Sequence, residues 1–189
     1  HHAIVTRNLE DIYDIPTALR AFAQMRRTHP DAVLTVAGSG PRLSALQALT
    51  RELGIAAVVR FTGRLDNERI ADLYREADLL LNPSTVDNMP ISLLEAWASG
   101  VAIVSTNVGG IPHMVEDGKT ALLVSPREPA AMAAAALRVL AEPDLAAALG
   151  AAGLEAAERY TWPHVRPLLF RTYARAMGPD TAQELRAHP

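Results

Sequence analysis

The stretch Ala32-Val-Leu-Thr-Val-Ala-Gly-Ser-Gly-Pro-Arg-Leu43 holds the pattern from which the rest of the chain can be read. Ala32 to Ala37 is an uninterrupted run of the kind a strand shows when both its faces are covered. Gly38-Ser-Gly40 stops it. Pro41 fits the first turn of a helix, and Leu43, Leu46 and Leu49 then recur at helical spacing. The unit is strand, glycine turn, helix.

The same unit repeats in both directions along the chain. Upstream, Ala3 to Thr6 is a short apolar run, and Pro16 to Thr28 carries Ile15, Leu19, Phe22 and Ala23 on one helical face. Downstream, Val58 to Thr62 is a strand ended by Gly63. Asp66 is an N-cap for a helix carrying Ile70, Leu73 and Tyr74. Leu79 to Leu81 is a fourth strand, stopped at Asn82-Pro-Ser84. A helix from Pro90 to Ser99 ends at Gly100. Val101 to Ser105 and Ala121 to Val124 complete the strands. Ser125-Pro-Arg-Glu128 reads as a capping box with proline at the first helical position. An alanine-rich helical region then runs towards Tyr160.

Strands alternating with helices predict an α/β, Rossmann-like parallel sheet with helices on both faces. Ligands bind such sheets outside the carboxyl ends of the strands. The loops that matter are therefore Arg7–Tyr13, Gly38–Pro41, Gly63–Leu65, Asn82–Asn88 and Thr106–Pro112. Residues 1–160 form the predicted domain. Residues 161–177, with Trp162, Val165, Leu169, Tyr173 and Met177 in one stripe, read as a terminal helix outside the sheet core. Residues 178–189 read as a tail. His1 and His2 fit the remnant of a tag.

Composition narrows the function. The 189 residues are 49% hydrophobic and 21% charged, enough to bury a core and too apolar for a disordered chain. Lys and Arg number 18 against 21 Asp and Glu, a net charge of −3. No basic stripe stands out, so a nucleic-acid partner is not expected. With 0 cysteines there is no disulfide scaffold, thiolate nucleophile or Cys-ligated zinc, which suits a reducing compartment. No segment reads as a membrane span or a signal peptide.

The richest segment chemically is Asn82-Pro-Ser-Thr-Val-Asp-Asn-Met-Pro-Ile-Ser-Leu-Leu-Glu95. It puts Asp87 in a loop after a strand and Glu95 on the helix that follows. Between them the helix begins, and its unpaired N–H groups make an anion site. Pro90 has no N–H, so Ile91 and Ser92 would face a phosphate. A carboxylate accepts two hydrogen bonds and suits the paired hydroxyls of a ribose or hexose. The same residues also fit a plain role, with Asp87 a turn residue and Glu95 solvated.

Asp87 and Glu95 resemble the E-x7-E signature of group 1 (GT4-type) retaining glycosyltransferases of the GT-B fold, with aspartate at the first position. Val36-Ala-Gly-Ser-Gly-Pro41 resembles that family's strand-glycine-proline turn, and Phe61-Thr-Gly63 its F-x-G strand end. Ala77-Asp-Leu-Leu-Leu-Asn-Pro-Ser84 resembles its A-D-x-x-x-x-P-S run. Glu95-Ala-Trp-Ala-Ser-Gly100 resembles its E-A-x-x-x-G helix. Val108-Gly-Gly-Ile-Pro112, Asp117 to Val124 and Tyr160-Thr-Trp162 extend the likeness to nearly the whole chain. Order and spacing, more than any single motif, make it specific.

The resemblance implies the C-terminal, nucleotide-sugar donor-binding half of a two-domain enzyme whose N-terminal acceptor domain is missing here. It implies transfer of a sugar from a nucleotide sugar to an acceptor hydroxyl, with the fragment inactive alone. A UDP- or GDP-sugar is favoured over an ADP-sugar, and no metal or other cofactor is expected. The implied location is cytoplasmic, at the inner face of the membrane for the full-length protein. By resemblance Asp87 contacts the donor sugar and Glu95 the ribose, while the amides of Ile91 and Ser92 hold the pyrophosphate. Arg64 and Leu65 frame the base, and Gly38 and Gly40 let backbone approach the ligand. Arg7 matches an arginine that offsets charge on the leaving diphosphate. The family's accompanying lysine is absent: Tyr13, in Glu10-Asp-Ile-Tyr-Asp-Ile15, stands near its place. His113 stands where the family often has glutamate. The terminal helix would cross to the N-terminal domain.

Two other functions fit the missing lysine and the fold: a non-catalytic nucleotide-sugar-binding module and a GT-B-like nucleotide-sugar epimerase. A dehydrogenase fits poorly. Gly38-Ser-Gly-Pro-Arg-Leu43 lacks the third glycine of G-x-G-x-x-G, and no acidic residue ends the next strand. No P-loop, H-E-x-x-H or G-x-S-x-G motif occurs.

Overall fold

A computed structural model describes residues 1–177. The predicted tail, 178–189, lies outside the described residues. Six strands form one sheet: β1 (His2–Thr6), β2 (Val33–Ala37), β3 (Val59–Gly63), β4 (Leu79–Asn82), β5 (Ala102–Thr106) and β6 (Leu122–Val124). Their spatial order is β3-β2-β1-β4-β5-β6, and every pairing is parallel. Chain order reverses between β1 and β4, so the crevice of a doubly wound sheet opens there. His2 belongs to β1, and its ring Nε2 lies 2.9 Å from Thr35 Oγ1.

The helices are α1 (Ile15–Met25), α2 (Leu43–Glu52), α3 (Asn67–Arg75), α4 (Ile91–Ala98), α5 (Ile111–Met114), α6 (Pro129–Ala141), α7 (Pro143–Glu158) and α8 (Trp162–Met177). Alternate strand residues feed two separate cores, as the two-residue strand period requires. Ala3, Val5, Leu79, Leu81, Ala102 and Val104 face the core shared with α1 and α6. Ile4, Leu80 and Ile103 face the core shared with α3 and α4, where Trp97 is wholly buried. Because both faces are covered, no polar alternation is visible in these strands.

Local signals held at some helix ends and failed at others. Asp66 caps α3 by accepting from the Arg69 N–H at 2.9 Å. Gly100 takes φ of +68° just beyond α4, a left-handed turn that glycine adopts without steric cost. The expected capping box from Ser125 to Glu128 does not form. Arg127 is left-handed at φ +60°, and Glu128 is held out of the helical region before Pro129, which becomes the first residue of α6. The alanine-rich region is two helices, because Pro143 interrupts the ladder and begins α7. The terminal stripe does form a helix, α8. Trp162, Leu168 and Tyr173 on it are exposed, and among the described residues none of α8 joins either core.

Trp97 fixes how α7 seats on α4. Its indole N–H donates to the Thr120 carbonyl at 2.8 Å, so the ring cannot rotate away without losing that bond. Gly153 of α7 lies flat on the ring, and a β-carbon there would overlap the indole. Gly153→Ala is therefore expected to lower stability by about 1–3 kcal/mol, the usual cost of overpacking a fixed core. Urea unfolding checks this, and an unchanged midpoint would contradict the packing described.

Candidate functional site

The carboxyl ends of β1, β2 and β3 and the start of α4 surround a cavity of about 280 Å³. Its position is the reversal of strand order between β1 and β4. Each strand delivers its contribution in the residues just after it ends: Arg7 after β1, Gly38 after β2, Arg64 and Leu65 after β3. Ile91, Ser92 and Glu95 come from the first turns of α4. Seven of the residues singled out from the sequence thus line one space. Gly40 and Asp87 do not line it.

Arg7 is the best-held side chain of the site. Its Nε donates to Asn82 Oδ1 at 3.0 Å, and Nη2 donates to the Asp87 carboxylate. Its guanidinium carbon lies 4.9 Å from the centre of the Tyr13 ring, a cation–π distance. Tyr13, near the position of the absent lysine, thus supports the arginine. Asn82 is fixed in turn by donating to Ser105 Oγ at 2.9 Å, and Ser84 donates to Asn82 Oδ1 at 3.0 Å. Burial lowers the pKa of Arg7, and the Asp87 charge opposes that shift. Arg7 and Asp87 side chains are each 12% exposed, so their pairing is only weakly screened by water.

Two glycines set the approach of these loops. A β-carbon at Gly38 would overlap the Arg7 carbonyl, and one at Gly109 would overlap the Asp87 carbonyl. Both have positive φ, +148° and +54°. The Gly110 N–H then donates to the Asp87 carbonyl at 2.9 Å. Gly40 presses against the Leu9 backbone. The glycines after β2 therefore hold the Arg7–Leu9 loop by close backbone contact. That is a different use from the close approach to a ligand expected of them, although Gly38 also forms part of the wall.

The start of α4 presents the free amides expected of it. Pro90 is the N-cap, so Ile91 and Ser92 supply the first free amides. Ser92 Oγ is buried with no hydrogen-bond partner among the described residues. A buried hydroxyl without a partner costs stability, and one on a cavity wall at a helix start is suited to an incoming acceptor. Glu95, one turn further, is half-buried, and its Oε2 accepts from the Tyr74 hydroxyl at 2.9 Å. Arg64 is exposed at the rim with no ion-pair partner among the described residues.

Thr6, Ala37, Asn67 and Ile70 also line the wall without having been singled out for it, and Asn8 lies there within the Arg7–Tyr13 loop. Thr6 and Asn8 flank Arg7 at the end of β1, and that place alone was a usable signal. From spacing alone Tyr74 belongs to an apolar helix face. His113 lies on α5, exposed and away from the cavity wall. Among the described residues no group of three or more His, Asp or Glu side chains is placed to hold a metal ion.

A sequence model described as glycosyl transferases group 1 matches residues 3–156. The chain belongs to the group 1 glycosyl transferases. D-inositol 3-phosphate glycosyltransferase from Streptomyces scabiei is 36% identical over 183 residues, 90% of this chain and 40% of that protein. This group 1 chain thus spans about two fifths of the length of that curated relative. The fold matches HepE from Anabaena, solved with UDP-glucose, with a TM-score of 0.85 at 20% identity over 92% of this chain and 48% of that one. It also matches the C-terminal domain of the group 1 protein LpcC from Francisella tularensis, with a TM-score of 0.78 at 20% identity over 86% and 87% of the two chains. At that identity both likenesses concern the fold.

Removing one member of the Arg7–Asp87 pair leaves the other charged in a nearly dry site. Arg7→Met is expected to cost about 3–5 kcal/mol, and Arg7→Met with Asp87→Leu to recover most of it. Denaturant unfolding of both variants tests this, and a neutral single substitution would contradict the pairing.

Proposed function

We propose that this chain is the donor-binding domain of a retaining glycosyltransferase. The full-length protein transfers a sugar from a nucleotide sugar to an acceptor hydroxyl, and this domain alone is inactive because the acceptor half of the cleft is elsewhere. One observation carries the reading: the free amides of Ile91 and Ser92, an unpartnered buried hydroxyl, two arginines and Glu95 converge on a single cavity at the strand-order reversal. That set suits a nucleoside diphosphate, with anionic phosphates for the amides and Arg7, paired hydroxyls for the carboxylate and a base beside Arg64.

In this reading the pyrophosphate lies at the start of α4, Glu95 accepts from the ribose hydroxyls, and Leu65 and Arg64 frame the base. Asp87 meets the donor sugar from its place beside Arg7. Gly38 and Gly40 act by holding the Arg7 loop. As the sugar leaves, negative charge grows on the diphosphate. Arg7, already oriented by Asn82 and Tyr13, offsets it without reorganising. Arg64, the second cation on the wall, stands by the base, so Arg7 and the α4 amides carry the charge on the diphosphate. The reaction proceeds on side chains and helix amides, without a metal. The donor is a uridine or guanosine diphosphate sugar by family resemblance, and HepE, solved with UDP-glucose, supports the uridine form. The exposed apolar face of α8 packs on the second domain. The protein works in the cytoplasm, at the inner face of the membrane.

The place of Tyr13 keeps a second reading open to test, a module that binds the nucleotide sugar without turning it over. Calorimetric titration of the full-length protein with UDP, GDP and ADP is expected to show one binder, lost in Glu95→Ala. No binder at all would overturn the donor-site reading. Transfer by the full-length protein should fall by about 100-fold or more in Arg7→Ala. Binding without transfer in the unaltered protein would favour the non-catalytic module, and conversion of donor alone would mark an epimerase.

A further inference from the structure

Tyr74 lies near the end of α3, is 1% exposed, and has three oxygen neighbours where a buried phenol ordinarily needs one partner. Thr6 Oγ1 is 2.7 Å away, Glu95 Oε2 is 2.9 Å away and the Ser92 carbonyl oxygen is 3.2 Å away. A carboxylate and a carbonyl can only accept. The single phenolic proton is therefore directed to Glu95 and Ser92. Thr6, the remaining neighbour, must donate its own proton to the Tyr74 oxygen. The relay has one direction: Thr6 to Tyr74 to Glu95.

Burial, the largest cause, raises the pKa of Tyr74 well above the ordinary value of about 10. The phenol accordingly stays a donor across the whole working range of pH. Glu95 is held through Oε2, while Oε1 has no hydrogen-bond partner among the described residues. Glu95 and Thr6 both line the cavity, so the relay runs along its wall. A glutamate on a helix surface otherwise samples several rotamers, and ordering it costs conformational entropy on binding. Tyr74 removes that cost in advance.

We infer that Tyr74 is a positioning residue: through its hydroxyl it holds the Glu95 carboxylate ready for a vicinal diol, and so sets the preference of the site for ribonucleotides over 2′-deoxyribonucleotides. This rests on the reading of Glu95 as the ribose contact. The aromatic body of Tyr74 serves the core, and its hydroxyl serves the site. Phenylalanine separates the two roles, because it keeps the ring and removes the relay.

The test uses the full-length protein with UDP or GDP, whichever binds, and the 2′-deoxy form of the same diphosphate. Tyr74→Phe, Thr6→Val and Glu95→Gln are compared with the unaltered protein by calorimetry. Tyr74→Phe is expected to weaken the ribonucleotide about tenfold, the scale of one hydrogen bond to a charged group, and to leave the deoxynucleotide within about twofold. Thr6→Val, which breaks the first link, should move the same preference in the same direction by less. It also serves if Tyr74→Phe fails to fold. Glu95→Gln should abolish the preference. If Glu95→Gln abolishes it while Tyr74→Phe and Thr6→Val leave it intact, or weaken both nucleotides equally, the positioning role is overturned and the ribose contact stands. If Glu95→Gln leaves the preference unchanged, the ribose contact fails and the positioning role fails with it.

Discussion

The site depends on backbone pressed against backbone where no β-carbon intervenes. Gly38 lies on the Arg7 carbonyl and Gly109 on the Asp87 carbonyl. These two contacts draw the loops after β1 and β4 into the same crevice from opposite sides. Arg7 and Asp87 consequently meet as a nearly dry pair, and Arg7 is left facing the cavity at a fixed angle. A side chain at either glycine would part the loops before any polar interaction was considered. Steric permission comes first here, and the electrostatics follow from it.

The charge arrangement then has a simple logic. An arginine taken out of water is costly unless its donors are occupied. Arg7 meets that demand with Asn82 and Asp87 along its edge and Tyr13 beneath its face. Asn82 is itself held by Ser84 and Ser105, so the support reaches back to β5. Glu95 has a corresponding support in Tyr74 and Thr6. A cation and an anion are thus each fixed from behind on one wall. Both are therefore ordered before any ligand arrives, and a pre-ordered group costs less entropy to bind through.

Much of this was legible in the residues. Uninterrupted apolar runs such as Leu79 to Leu81 announced strands covered on both faces, and Gly63 and Gly100 marked ends of elements correctly. The Asn82–Glu95 segment was legible as a helix start after a proline, and Ile91, Ser92 and Glu95 from it do line the cavity. What stayed hidden was tertiary. Ser125 and Glu128 have the spacing of a capping box, but Pro129 displaced the helix start. Tyr74 at helical spacing reads as core, and only the approach of Thr6 from β1 and Glu95 from α4 reveals its hydroxyl. Gly38 and Gly40 signalled close approach, and the sequence could not say that the approaching group was the protein's own backbone.

The proposed function stands on a nucleoside diphosphate binding at the carboxyl edge of the sheet, on the start of α4. Amide chemical shifts recorded by NMR during a titration with UDP and GDP test it residue by residue. The largest changes are expected at Ile91, Ser92, Gly38 and Arg64. Saturating changes confined elsewhere, for example to the polar crevice between Lys119 and Arg159 beside α7, would contradict it.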